Sequence, residues 1–270
     1  CIEYLTDRHA SEGKISREWF LPSQPNILEA DGVHRAVVLS EVVGCPIYPV
    51  HLSTHEAMSL VKDFRDRGLP LFTETCPHYL TLDNSMYDQQ GFEGAKYVLT
   101  PPLRDHRHQA KLWNGLRRND LQVVSTDHCA FRFNDQKTMG KEDFSKIPNG
   151  GPGIENRLSL LYTHGVVPGL LDMNRLVEVF STAAARLFGL FPRKGTIAVG
   201  SDADIVVFDP DEETVISAQT HHMNVDYNLY EGMKVKGVPQ VVIANGEAII
   251  EGGQYTGTPG SGRFLKRSTL

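Results

Sequence analysis

The sequence predicts an α/β protein with parallel strands, followed by a second, β-rich module. Three observations predict it. Short apolar runs alternate with amphipathic helical patterns through most of the chain. Several of these runs end in polar or ionisable residues, the pattern of strands whose C-terminal ends meet around one site. Beyond Pro192 helical periodicity stops and hairpin-like strands take over. The division falls at 1–192 and 193–270.

Ile2 to Glu12 has helical character, and the opening CIEYLTDRHA reads as the middle of a helix, so the chain is expected to be a piece of a longer protein. WFLPSQPNI is a loop with two prolines. Val33 to Val43 is apolar at helical spacing. CPIYPVHLS (Cys45 to Ser53) is a short strand behind a proline. THEAMSLVKDFRDRGLP is a helix, with Thr54 as N-cap and Gly68 as its stop. LFTETCPHYL is the next strand, AKLWNGLRRNDL a helix and LQVVSTDHC a further strand. PNGGPG, Pro148 to Gly153, is a loop of large backbone freedom. IENRLSLLYTHGV and MNRLVEVFSTAAARLFGL are helices. The β-rich texture then covers GTIAVGSDADIVVFDPDEETV and KVKGVPQVVIANGEAIIEGGQY, and the tail from Tyr255 is extended or loosely docked.

Bulk properties narrow the function classes. A chain of 270 residues makes one large domain or two moderate ones. With a net charge of −6 and scattered Lys and Arg there is no basic footprint for nucleic acid. No apolar run approaches the ~18 residues of a membrane span, and no signal peptide is read. Four widely spaced cysteines without a CxxC point to a reducing compartment, hence the cytoplasm.

The chemistry sits at three strand ends. His51 closes IYPVHLS, Glu74, Cys76 and His78 lie in TETCPHY, and Asp127 and His128 close VVSTDHC. Imidazole and carboxylate meeting at one rim suit a divalent metal such as zinc. A carboxylate beside metal-bound water can also take its proton. Other polar groups are read as structural. The His106–His108 HRH follows PPLRD and reads as a solvated helix start, while adjacent His221 and His222 point to opposite faces of a strand. His78 packs, His128 turns away from the metal, Cys76 and Cys129 are buried thiols, and Asp202 and Asp204 form a turn. PNGGPG lacks the Lys and Ser or Thr of a P-loop and reads as a substrate-lining loop.

VHLS, ETCPHYL, FEGAKYVLTPPLR, STDHC, IPNGGPGIENRL, LFGLFPRKGTIAVGSDADIVVFDP and THHMNVDYNLYEGMKVKGVP together resemble the cyclic amidohydrolases, nearest the bacterial dihydropyrimidinase and D-hydantoinase branch. The resemblance implies the C-terminal part of a (β/α)8 TIM-like barrel with a flanking β-sandwich and a binuclear zinc site. It implies that His51 is a zinc ligand and that Asp127 is both ligand and general base. It implies that the backbone at Thr100, usually Ser in the family, and at Asn156 holds the cyclic substrate. The implied reaction opens 5,6-dihydropyrimidines or hydantoins to N-carbamoyl amino acids, a step of pyrimidine catabolism. A homo-oligomer, dimer or tetramer, is also implied. In the family an HxH pair, a carboxylated lysine and a further His lie upstream of the matched region. His51 and Asp127 alone should therefore bind zinc poorly, and the isolated chain is expected to be inactive and to expose apolar barrel strands. Allantoinase and dihydroorotase share the barrel logic. A non-catalytic scaffold relative lacks the metal ligands, and retention of His51 and Asp127 argues against it.

Overall fold

The computed structural model describes residues 1–269. They form two compact units, Cys1–Arg157 with Ser217–Glu231, and Leu158–Ile216 with Gly232–Leu270.

The first unit is a run of parallel staves with helices between them. It begins with α1 (Ile2–Ser11) and α2 (Asn26–Val43). α2 stops at Gly44, which takes the left-handed conformation that an L residue resists. The apolar residues of α2 are spread around the helix. Ala30, Val33 and Val37 are buried while Ile27, Leu39, Val42 and Val43 are exposed. The first stave bridges the second at Ile47 and Leu71. Pro46 and Pro49 remove two backbone donors there, so CPIYPVHLS pairs through single contacts and not a regular ladder.

Between those staves runs α3 (His55–Asp66), capped as its sequence predicts: the Thr54 hydroxyl accepts the Ala57 N–H at 3.2 Å. Its Ala57, Met58, Val61 and Phe64 are buried at helical spacing. β1 (Glu74–Thr75) then pairs in parallel with β2 (Val123–Val124), in the register Glu74 to Val123 and Thr75 to Val124. LFTETCPHYL is not a strand throughout. Pro77 cannot donate to a ladder but suits the first turn of a helix, and α4 (Pro77–Thr81) starts there. α5 (Arg107–Arg118) joins β1 to β2 and buries Leu112, Trp113 and Leu116. Parallel strands covered on both faces read as continuous apolar runs, and Leu71, Leu121 and Val124 are indeed almost wholly inaccessible.

α6 (Arg157–Leu161), which enters the second unit after Arg157, runs into a wider helical turn at 162–166, and a second such turn at 178–182 joins α7 (Met173–Val177) to α8 (Ala183–Leu187). Asp172 caps α7 by accepting the Arg175 N–H at 2.7 Å. The β-rich part is a four-stranded antiparallel sheet in the order β3 (Ile205–Val215), β4 (Lys234–Ala244), β5 (Glu247–Glu251), β6 (Gln254–Tyr255). Asn245 and Gly246 turn β4 into β5 with φ of 51° and 86°, the paired positive values of a tight hairpin. No helix among the described residues is long and apolar enough to cross a membrane.

Gly237 lies where β3 bulges against β4 between Asp209 and Glu213. Its φ is +87°, and a Cβ there would stand 2.4 Å from Phe208 Cζ and 2.5 Å from Tyr162 Cδ1. Those two rings make an edge contact at 5.1 Å. Gly237→Ala is expected to destabilise the protein by about 2–4 kcal/mol through strain and overpacking together. A urea denaturation midpoint equal to that of the wild type would contradict this.

Candidate functional site

The strand ends named from sequence converge in the first unit, and one carboxylate joins them. Glu74 Oε2 accepts the Tyr48 hydroxyl at 2.8 Å. Glu74 Oε1 accepts the Ser125 hydroxyl at 2.6 Å and the backbone N–H of His51 at 3.4 Å. Burial, and then the Glu74 charge, pushes the Tyr48 phenol well above its ordinary pKa, so it stays a donor. Arg157 lies beside this group and donates to the Val124 carbonyl at 2.7 Å.

His51 and Asp127 both take left-handed backbone conformations, with φ of 43° and 45°. Among the described residues only two other non-glycine residues do so. They are Asn119, at the end of α5, and Asn245, in the hairpin, both ordinary places for Asn. A histidine and an aspartate held this way at two strand ends are strained residues of the kind that cluster at functional sites. The strain is held by the surrounding ladder. Leu52 N–H donates to the Glu74 carbonyl at 2.9 Å, Ser125 N–H to the Thr75 carbonyl at 3.0 Å, and Cys129 N–H to the Gly151 carbonyl at 3.3 Å.

The turn after His51 rests on a buried ion pair. Glu29 of α2 accepts the backbone N–H of Ser53 at 2.8 Å and of Thr54 at 3.0 Å, and both their hydroxyls. Arg104 lies 3.5 Å from the same carboxylate, with side chains 5 % and 9 % exposed. Its other nitrogens reach the Ser53 hydroxyl at 3.1 Å and the Gln24 carbonyl at 2.5 Å. Every buried charge here therefore has several partners.

Donor chemistry at the rim fits a metal. His51 Nδ1 is buried without a hydrogen-bond partner. The Asp127 carboxylate is exposed and accepts no hydrogen bond from the described residues. An imidazole nitrogen without a proton partner and a free carboxylate are ligand types for zinc, although the two make only part of a site. His78 packs edge-on to Tyr79 at 4.1 Å, as expected of a packing residue. Burial, then the neighbouring His51, pushes its pKa down to about 3, so it is neutral. Burial also raises the Cys76 thiol far above its usual range, so it is no nucleophile.

A second set of ligand-type atoms meets elsewhere. His55 Nδ1, Glu56 Oε2 and His108 Nδ1 form a triangle with edges of 3.1, 3.2 and 3.6 Å. The spacing would suit a tetrahedral cation. However, the backbone N–H of His55 donates to His108 Nδ1 at 3.1 Å, which engages the lone pair a metal would need. Asn26 Nδ2 is 3.1 Å from the other ring nitrogen. His108 thus caps the N-terminus of α3. The HRH segment is not uniformly solvated, as its polar setting predicts. The His106 side chain is 79 % exposed, but that of His108 only 1 %, because position 108 faces α3.

Thr100 is exposed, and its hydroxyl donates to Asn149 Oδ1 at 2.8 Å. Asn149 belongs to the PNGGPG loop, whose substrate-lining reading was the only sequence signal for it. Asn156 sits apart from this pair and accepts from Asn228 at 3.0 Å. His128 turns towards the loop and accepts from the Gly153 N–H at 3.2 Å. Cys129 is exposed and not a buried thiol, because the chain leaves the sheet at Asp127. His221 and His222 lie on no strand; His222 Nδ1 is 2.6 Å from Glu155.

A family model described as "Amidohydrolase family" matches residues 48–249. The chain belongs to the amidohydrolase family. A D-hydantoinase of Geobacillus stearothermophilus is 48 % identical over 267 residues, 99 % of this chain and 57 % of that protein. A dihydropyrimidinase structure from Brevibacillus agri superposes with a TM-score of 0.98 at 45 % identity, covering 100 % of this chain and 58 % of the other. An L-hydantoinase structure from Arthrobacter aurescens, 29 % identical, covers 98 % of this chain and 58 % of its own with a TM-score of 0.90. The architecture is accordingly that of part of an amidohydrolase barrel with its β module. The chain spans rather more than half the length of these relatives.

Two outcomes follow from the packing of the site. Glu29→Ala, which strands Arg104 and two backbone donors, should cost about 3–5 kcal/mol of stability, seen as a lower urea midpoint. His78 protonates near 6.5 when unfolded but near 3 when folded, so it destabilises the fold progressively as pH drops between those values. His78→Leu should remove that part of the acid dependence in a stability-against-pH titration. An unaltered slope would show that His78 is not the group titrating.

Proposed function

We propose that the whole protein hydrolyses cyclic amides of the dihydropyrimidine or hydantoin class to N-carbamoyl amino acids. The observation that supports this best is the pair His51 and Asp127. They stand at the ends of parallel staves in strained conformations, with the histidine nitrogen unpartnered and the carboxylate open. The relatives carrying the names D-hydantoinase and dihydropyrimidinase point to the same reaction class.

Zinc would be held here by His51 and Asp127, with further ligands from outside this chain. When bound, a pair of such ions supplies carbonyl polarisation and a water acidic enough to react at neutral pH. Asp127 takes the proton of the attacking water and returns it to the ring nitrogen as the C–N bond breaks. The oxygen of that water remains on the former carbonyl carbon, so the ring opens to an acid and a carbamoyl nitrogen. Thr100 and Asn149 hold the ring against the strand ends, with the Asn156 backbone further along the loop. Glu74 aligns the His51 backbone with Ser125, two residues before Asp127. This chain alone, lacking enough ligands, is inactive, and the whole protein works as a dimer or tetramer. Retention of both ligand types favours an enzyme over a non-catalytic scaffold of the same fold.

The test uses the full-length, zinc-loaded protein with dihydrouracil and hydantoin, following release of carbamoyl product. Turnover should stop on chelation and recover with zinc. Asp127→Asn should lower kcat by roughly a thousandfold or more, since the amide cannot take the proton. Undiminished turnover in that variant would refute the role.

A further inference from the structure

Lys137 is the largest of the fully buried side chains among the described residues, at 0 % exposure, and the reaction outlined above does not use it. Lysine is almost never buried completely without a paired acid, yet no ion pair involves Lys137 among the described residues. Its ammonium instead faces three backbone carbonyls, Val98 at 2.6 Å, Pro148 at 2.7 Å and Gly150 at 2.7 Å. An ammonium has three donors and no acceptor, so the match is complete. Burial pushes its pKa down to about 7, and the nearby Cys129 works against that shift.

The three carbonyls belong to two segments that are far apart in sequence. Val98 lies two residues before Thr100. Pro148 and Gly150 flank Asn149. Two further bonds lie across the same junction: the Gly150 N–H donates to the Val98 carbonyl at 3.1 Å and the Thr100 hydroxyl donates to Asn149; within the loop Asn149 Nδ2 donates to the Ile147 carbonyl at 3.0 Å. Space there is tight, because a Cβ on Gly150 would come within 2.3 Å of the Cys129 carbonyl oxygen. A planar guanidinium could not place three donors on this set of carbonyls in so small a volume.

We propose that Lys137 is a positioning residue for substrate recognition: its ammonium locks the Thr100 segment to the Asn149 loop, so that the two backbone segments receiving the ring are set before the ring arrives. This rests on the cyclic-amide reading above. Preorganised binding groups act on ground-state and transition-state binding alike, so their loss raises KM and leaves kcat nearly intact.

The experiment uses the full-length, zinc-loaded protein and its Lys137→Met variant, which keeps the length of the side chain and removes its donors. Expected are a KM for hydantoin at least tenfold higher, a kcat within about threefold, unchanged zinc content, and at least tenfold faster amide hydrogen exchange confined to peptides covering 97–101 and 147–151. Equal KM values, or a joint fall of kcat and zinc content at unchanged KM, would overturn the proposal. Wild-type exchange decides the case even where the variant fails to fold: both segments must be slow in the ligand-free enzyme, and free exchange there also overturns it. A wild type that keeps these segments protected but opens no cyclic amide would sink the functional reading and leave the clamp standing.

Discussion

A single carboxylate, that of Glu74, governs where the strand ends bearing His51 and Asp127 can be. It receives a hydroxyl from the first stave, the backbone of His51 at the end of that stave, and a hydroxyl from the third stave two residues before Asp127. Three segments separated by more than twenty residues each are thereby brought to one point. A half-buried carboxylate such as Glu74 is costly unless several donors face it, and that requirement is what ties the strand ends together. The left-handed turns at His51 and Asp127 hang from this anchor.

Outside this centre two further sets of buried charges, three side chains in all, brace the same rim. Glu29 and Arg104 grip the turn after His51, and Lys137 grips the Thr100 and Asn149 segments. Gln24 links the two braces, since its carbonyl accepts from Arg104 and its amide lies 3.4 Å from the Thr100 hydroxyl. Buried ion pairs contribute little net stability in comparison with apolar packing. Their value here is positional: charged donors and acceptors have few satisfactory arrangements, so they hold loops that Pro and Gly would otherwise leave free. The helix cap made by His108 follows the same logic. A group of metal-ligand types can be a device for satisfying backbone donors, and the direction of one lone pair separates the two cases.

The sequence by itself determined the parts whose cause is local. The spacing of Ala57, Met58, Val61 and Phe64, together with the Thr54 cap, specifies α3 wherever it packs. Asn245–Gly246 specifies a hairpin because few residues tolerate two successive positive φ values. The strand-end positions of His51 and Asp127 were legible for the same reason, and family likeness attached zinc chemistry to them. Prolines set the limits of such reading: Pro46 and Pro49 thinned the first stave, and Pro77 converted half of an apparent strand into α4.

Only the tertiary structure decided which polar groups meet. No periodicity relates Glu74 to Tyr48 and Ser125, Thr100 to Asn149, or Lys137 to three carbonyls on two distant segments. His108 looked solvated because its neighbours are polar, and Cys129 read as a buried structural thiol because no base partner for it is identifiable in the sequence; the structure buries the first and exposes the second. Local sequence encodes torsional preference and one apolar face, which act over a few residues. The pairing of buried charges depends on contacts between separate segments, as far apart in sequence as Glu29 and Arg104, and these exist only once the staves have come together.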